Sequence, residues 1–176
     1  MRIIGGTLKG KQINPPKNYA ARPTTDFAKE GLFNTLVNEV DFETAAMLDL
    51  FSGTGSISFE AASRGCHDIV SVEMNPLHAT FIKKAAAELG IKGMQVVRHN
   101  VFDFLNICSR RFDLIFADPP YAIEGLDTIP DRVFEKNILA EGGVMILEHP
   151  ADYSFEKHPR FVKEKKYGNV HFTYFR

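Results

Sequence analysis

The 176-residue sequence has little cysteine, no long apolar run and almost no net charge, and each shortage excludes something. Its two cysteines, Cys66 and Cys108, stand far apart, and nothing at the start of the chain reads as a secretory signal. Reduced thiols in a cytoplasmic protein are therefore expected, with no metal site. The longest apolar stretches, such as Val144 to Leu147, fall far short of the roughly 20 residues that span a bilayer, so no membrane anchor is expected. With 44% apolar residues the chain is long enough to bury one sizeable core and short for two.

The net charge of −1 hides a sorted distribution. Residues 1–30 carry six Lys/Arg against two acids (+4), residues 31–156 nine against nineteen (−10), and residues 157–176 six against one (+5). Basic ends around an acidic middle suit a protein whose termini hold a phosphate backbone; well-solvated termini would read the same.

Along the chain, Met1 to Ile4, the glycines Gly5, Gly6 and Gly10, and Lys11 to Asn14 predict a short β-hairpin ahead of Pro15-Pro16. Pro23-Thr24-Thr25-Asp26 then opens a helix whose apolar positions include Phe27, Leu32, Phe33, Leu36 and Val37. From Met47 on, short apolar runs alternate with helical patterns, as in βαβ units around a parallel sheet. The predicted strands are 46–50, 69–73, 94–98, 112–117 and 143–148, with helices over 56–64, 76–89 and 126–139 and a short turn of helix at 101–107. The tail, 160–166 and 169–175 about Tyr167-Gly168-Asn169, predicts a closing antiparallel hairpin. The expected fold class is α/β and Rossmann-like: a mostly parallel seven-stranded sheet with helices on both faces, residues 23–176, preceded by a hairpin extension, residues 1–22.

Leu48-Asp49-Leu50-Phe51-Ser52-Gly53-Thr54-Gly55-Ser56 follows the first core strand and opens the next helix, where open α/β sheets bind ligands. Gly53 and Gly55 let backbone approach a ligand, and Asp49 sets a carboxylate beside them. A dinucleotide site would prefer a third glycine near Ser58, and Asp49 would repel a pyrophosphate. The turn therefore favours a ligand that is neutral or cationic, and S-adenosylmethionine fits. Glu73, at the end of the second strand, is placed to accept from two ribose hydroxyls, with Asn75 just beyond it; Asn100 and Val101, after the third strand, stand where an adenine edge would lie. A plain tight turn and a helix-start acid are the alternatives for the glycines and for Glu73.

Asp118-Pro119-Pro120-Tyr121 ends the fourth core strand. Two prolines fix the backbone and remove two amide donors, leaving carbonyls to accept. An exocyclic amino nitrogen is a poor nucleophile because its lone pair is delocalised into the ring. The Asp118 carboxylate and the Pro119 carbonyl can accept its two hydrogens and draw it toward a tetrahedral geometry, while Tyr121 offers a face to an extruded base. A structural strand exit is the alternative.

In this order, Met1 to Gly6, Lys9-Gly10-Lys11, Arg22 to Asp26, Leu32-Phe33-Asn34, Leu48 to Gly55, Glu60-Ala61, Ser63-Arg64-Gly65, Asp118 to Tyr121, Glu148-His149 and Tyr167-Gly168 resemble the RsmD-type 16S ribosomal RNA guanine-N2 methyltransferases. The resemblance implies a class I methyltransferase fold, S-adenosylmethionine as methyl donor, a bacterial cytoplasmic setting and one guanine of small-subunit rRNA as target, met within a small-subunit or assembly particle by a monomeric enzyme. It also implies that the N-terminal hairpin and the Arg-Pro-Thr segment lie by the active-site mouth, with Lys9, Lys11, Arg22 and Lys29 touching RNA. Two positions depart from the family: Phe27 stands where Arg is usual, and Asn100 where an acid is common. Competing readings are an exocyclic-amino methyltransferase for DNA adenine or cytosine or for protein glutamine, a non-catalytic RNA-binding assembly factor, and a nicotinamide-dependent oxidoreductase. His149 is equally open to a place in the base pocket or in the core, and Tyr167 and Phe172 to bracketing a base or closing the tail hairpin.

Overall fold

The computed structural model describes residues 1–16 and 24–176. In chain order it contains α1 (Asp26–Leu36), β1 (Ala46–Leu50), α2 (Ser56–Ser63), β2 (Asp68–Val72), α3 (Pro76–Glu88), β3 (Met94–Val97), α4 (Val101–Ile107) and β4 (Phe112–Ala117). A 3-10 turn (Leu126–Thr128), α5 (Ile129–Glu135), β5 (Leu139–His149), β6 (Phe161–Tyr167) and β7 (Val170–Phe175) follow. The seven strands form one sheet in the order β3-β2-β1-β4-β5-β7-β6. Pairing is parallel from β3 to β5 and antiparallel for β5 with β7 and for β7 with β6.

Strand periodicity shows why helices must cover both faces. Leu48, Leu50, Ile115, Ala117, Met145 and Leu147 point to one side and pack with Val101 and Leu105 of α4 and Ile129 and Val133 of α5. Met47, Leu114, Phe116, Val144 and Ile146 point to the other and pack with Ala28 and Leu32 of α1 and Ile57 and Ala61 of α2. The tail adds Phe172 and Tyr174 to this second core. Gly168, at φ 64, sits first in the two-residue turn that joins the paired Tyr167 and Val170, where a tight hairpin requires a left-handed residue. Among the described residues no helix is long and apolar enough to cross a membrane, and no group of acids, histidines and cysteines could hold a metal ion.

Two expectations need adjustment. The helix predicted over 126–139 is a 3-10 turn followed by a shorter α5, because Pro130 starts a new helix and Asn137, at φ 53, ends it. The chain then enters β5 at Leu139, four residues earlier than its apolar run suggests. The N-terminal hairpin is only one antiparallel bridge wide, between Arg2 and Gln12. Ile3 N–H donates to the Lys11 carbonyl at 3.0 Å and Ile13 N–H to that of Met1 at 2.9 Å. The ladder stops there because the next amides are used elsewhere: Ile4 and Gly5 each donate to the Glu60 carboxylate at 2.8 Å.

Candidate active site

Strand order reverses between the parallel neighbours β1 and β4: it runs outward through β2 and β3 on one side and through β5 on the other. Ligands of open α/β sheets bind beyond the strand ends at such a switch point. Alternation along the strands brings four acids onto the face covered by α1 and α2. Asp49 follows Met47 by two in β1, Glu73 follows Ser71 and Ile69 in line with β2, Asp118 follows Phe116 in line with β4, and Glu148 follows Ile146 in β5. Because β2, β1, β4 and β5 are neighbours, the carboxylates of Glu73, Asp49, Asp118 and Glu148 form a row along the carboxyl ends of the sheet.

On the β2–β1 half, the glycine turn is held by backbone. Ser52 N–H donates to the Val72 carbonyl at 3.0 Å, the Ser52 hydroxyl to the Asp49 carbonyl at 2.8 Å, and Gly55 N–H to the Ser52 carbonyl at 2.6 Å. Gly55 caps α2 at φ 75, and a Cβ there would stand 2.8 Å from the Phe59 ring, so the turn can close on the helix only with glycine. Phe51 is itself left-handed, at φ 60, and meets Phe102 edge-on with ring centroids 6.3 Å apart. Glu73 ties the turn to the next loop: Oε2 accepts from Gly53 N–H and Oε1 from Asn75 N–H, both at 2.8 Å. Each oxygen keeps lone-pair capacity for a hydroxyl, which suits a ribose diol.

Asp49 is fully buried, and its Oδ2 accepts from the Ser58 hydroxyl at 2.5 Å; Ser58 in turn lies 2.7 Å from the Ser71 hydroxyl. Burial pushes the Asp49 carboxyl up to about 7, the Ser58 hydroxyl opposing and neighbouring Glu73 adding to the rise. Ser58, read from sequence only as a missing glycine, thus orients the acid. Asn75 and Asn100 prove to be helix caps: Asn75 Oδ1 accepts from Leu77 and His78 at the start of α3, and Asn100 Oδ1 from Phe102 and Asp103 at the start of α4. Their side-chain oxygens are committed, so Asn100 meets a ligand only through its Nδ2. That nitrogen lies 3.8 Å from the sulfur of Met74, which is 62% exposed directly after Glu73 and, with the buried Val101, offers apolar surface to a ring. Met74 went unread in the sequence; an apolar residue set directly after a strand-end acid was the available signal.

On the β4–β5 half, Asp118 N–H donates to the Leu50 carbonyl at 3.3 Å, which pins the box to β1. Pro119 is buried, and Pro120 and Tyr121 are exposed. The Pro120 carbonyl accepts from Ile123 N–H at 2.9 Å, whereas the Pro119 carbonyl accepts no hydrogen bond among the described residues. The Tyr121 hydroxyl donates to Glu148 Oε1 at 3.2 Å while 44% of the residue stays exposed. Burial raises the carboxyl of Asp118 well above the usual range, and the charges of Glu148 and Asp49 raise it further. Burial raises Glu148 as well, against the Tyr121 hydroxyl.

Several expected site residues lie elsewhere. Lys29, expected to touch RNA, is 1% exposed: its Nζ donates to the Arg2 carbonyl at 2.6 Å and to Ser56 Oγ at 3.1 Å, and it lies 3.8 Å from Glu60. It clasps the N-terminal segment and cannot reach a phosphate. Arg22 lies outside the described residues. Lys9 and Lys11 are exposed, but Thr7 and Leu8 are bonded to Ser63 at the far end of α2, so Lys9 sits away from the glycine turn rather than at its mouth. His149 belongs to the core. Burial lowers it and keeps it neutral, Nδ1–H donating to the Pro150 carbonyl at 2.9 Å and Nε2 accepting from the Thr173 hydroxyl at 2.7 Å. Phe172 is buried, and Tyr167 packs edge-on to Phe27 on the rim of a groove between α1 and β6.

The donor set matches S-adenosylmethionine, with a diol acceptor in Glu73, a carboxylate for a cationic group in Asp49, and a row of acids that would repel phosphate. Fold and site together define a class I S-adenosylmethionine-dependent methyltransferase. The family described as "Conserved hypothetical protein 95" matches residues 1–176, and the chain belongs to it, the RsmD family. "Ribosomal RNA small subunit methyltransferase D" of Haemophilus influenzae is 30% identical over 176 residues, covering 97% of this chain and 90% of the relative. The protein of that name from Escherichia coli K12 is 29% identical over 173 residues, covering 97% and 86%. The solved structure of Escherichia coli yhhF superposes with a TM-score of 0.87 at 29% identity, covering 100% of this chain and 97% of that one.

Proposed function

We propose that this chain transfers a methyl group from S-adenosylmethionine to the exocyclic N2 of a guanine in small-subunit ribosomal RNA. The observation that carries the reading is the row of acids across the switch point, with Glu73 and Asp49 on the cofactor half and Asp118 with its Pro-Pro-Tyr exit on the other. The names of the RsmD relatives support small-subunit rRNA as the substrate.

In this reading Glu73 takes the ribose hydroxyls, Asp49 faces the cationic amino-acid end, and Phe51, Gly53, Gly55, Asn75, Met74, Asn100 and Val101 line the cofactor. The bound cofactor supplies an electrophilic methyl group on a sulfonium. Asp118 and the Pro119 carbonyl accept the two hydrogens of the base amine and hold its lone pair free, and Tyr121 stacks on the extruded ring. Methylation makes the nitrogen acidic, and the Asp118 carboxyl, raised by burial and by Glu148, is suited to keep the proton it sheds. Pro120 fixes the exit of the loop. Lys9 and Lys11 hold phosphates on the flank, residues 1–22 acting as an RNA-contacting extension of the domain from residue 23 on. The work is done in the cytoplasm by a monomer on a small-subunit or assembly particle.

Mass-spectrometric mapping of modified nucleosides in rRNA from cells lacking the protein tests this. One N2-methylguanosine of small-subunit rRNA is expected to disappear; an unchanged small-subunit pattern would overturn the reading.

A further inference from the structure

Glu148 is 5% exposed, and its two oxygens are treated differently. Oε1 is fixed by the Tyr121 hydroxyl at 3.2 Å, while Oε2 is buried with no hydrogen-bond partner among the described residues. A carboxylate oxygen left bare in the interior costs stability and is rare in native proteins, so it calls for a donor brought by something else. Its surroundings say what. Glu148 lies on the same face as Asp118, at the end of the adjacent parallel strand, one register step beyond the paired Ala117 and Leu147. The Tyr121 hydroxyl that it anchors belongs to the Asp-Pro-Pro-Tyr box, so the bare, buried oxygen stands beside the box that is to hold a base.

We propose that Glu148 selects guanine: its Oε2 accepts the ring N1–H of the base whose neighbouring amine is held by Asp118. On the Watson–Crick edge of guanine N1–H lies beside the N2 amine, so two adjacent donors meet two adjacent carboxylates. The inference rests on the methyl-transfer reading above and adds a second recognition point to it. Adenine turns a lone pair at N1 toward any such acceptor, and 2-aminopurine does so while keeping the 2-amino group. Sites built to bond a substrate N–H reject analogues lacking it strongly, because their own buried polar group is then left unpaired. The donors of a bound guanine would also favour the ionised carboxylates that burial alone disfavours.

The test uses full-length small-subunit rRNA joined by ligation, carrying either guanine or 2-aminopurine at the position mapped above. The wild-type chain is expected to prefer guanine by about 100-fold or more in kcat/KM. Glu148→Gln, whose amide can donate to the N1 lone pair, should reduce that preference at least about tenfold while binding S-adenosylmethionine with an unchanged Kd by calorimetry. If the variant transfers no methyl group to either RNA, the same preference is read from the binding of the two RNAs in the presence of S-adenosylhomocysteine. A preference that stays at the wild-type value in Glu148→Gln would overturn the role of Glu148 alone. A wild-type chain that leaves the guanine RNA unmethylated would instead overturn the methyl-transfer reading on which it stands.

Discussion

Asp49 is buried and Asp118 half-buried, and the two acids face different tasks. Asp118→Asn keeps the shape of the box but turns a carboxylate that accepts and keeps a proton into an amide that cannot. Methyl transfer is expected to fall by about 100-fold or more, in the range of a lost general base or positioned acceptor, with the S-adenosylmethionine Kd within about threefold of wild type. Near-wild-type turnover would remove Asp118 from the chemistry. Asp49 makes a prediction in pH. Its carboxyl titrates near 7 in the fold against 3.8 ordinarily, so the fold favours the protonated form, and the stability it contributes is present below about pH 4 and lost as pH rises through 7. The cofactor-free protein should therefore lose stability between about pH 4 and 7, by on the order of 4 kcal/mol from this group if it acts alone, and Asp49→Asn should flatten the curve in thermal melts. A cationic ligand reverses the preference, so S-adenosylmethionine should bind more tightly, with proton release, as pH rises from 6 to 8, and a flat affinity would contradict a charge role for Asp49. The residue types of the site were legible because acids at strand ends stand out in apolar runs. The partners were not: that Ser58 orients Asp49, that Asn100 spends its oxygen on a helix cap, and that Glu148 lines up with Asp118 all depend on strand order, which no local pattern encodes.

At the scale of elements, the N-terminal segment is held less by its own pairing than by α2. Glu60 accepts from the Ile4 and Gly5 amides and from Arg64, whose guanidinium lies 2.9 Å away, with Lys29 at 3.8 Å. Gly6, at φ 75, passes so close to α2 that a Cβ would stand 1.8 Å from the Ser63 carbonyl oxygen. Glu60→Ala strands these donors at once and is expected to cost about 3–5 kcal/mol, as when one partner of a buried charge pair is removed, measured by urea unfolding. Amides of residues 3–8 should lose hydrogen-exchange protection first; unchanged protection there would show that the segment is held by apolar packing of Ile3 and Ile13. The βαβ core was readable because its strands are apolar and its helices periodic. The clasp was not, since Lys29 and Glu60 look like surface charges on amphipathic helices until the packing of α1 on α2 buries both.

Over the whole molecule, the described basic residues of the two ends do not converge on one patch. The turn carrying Lys9 lies by the far end of α2, while the tail lysines run along β6 at the opposite edge of the sheet from β3. RNA that meets both must pass over a broad face rather than into a cleft. Reversing charge at Lys9 and Lys11 together should lower the slope of log binding constant against log salt by about 1.5 to 2, as for two lost phosphate contacts; an unaltered slope would return both lysines to the solvated surface. The sorted charge was visible in sequence, but its spatial separation follows from the tail hairpin pairing beyond β5, which only the sheet order reveals. Methyl transfer to the amine of guanine is measured most directly by nucleoside analysis of small-subunit rRNA, free and in particles, after incubation of the purified chain with methyl-labelled S-adenosylmethionine. Label in N2-methylguanosine with the wild-type chain and none with Asp118→Asn is the expected result; label on another nucleoside, or equal label with both chains, would contradict it.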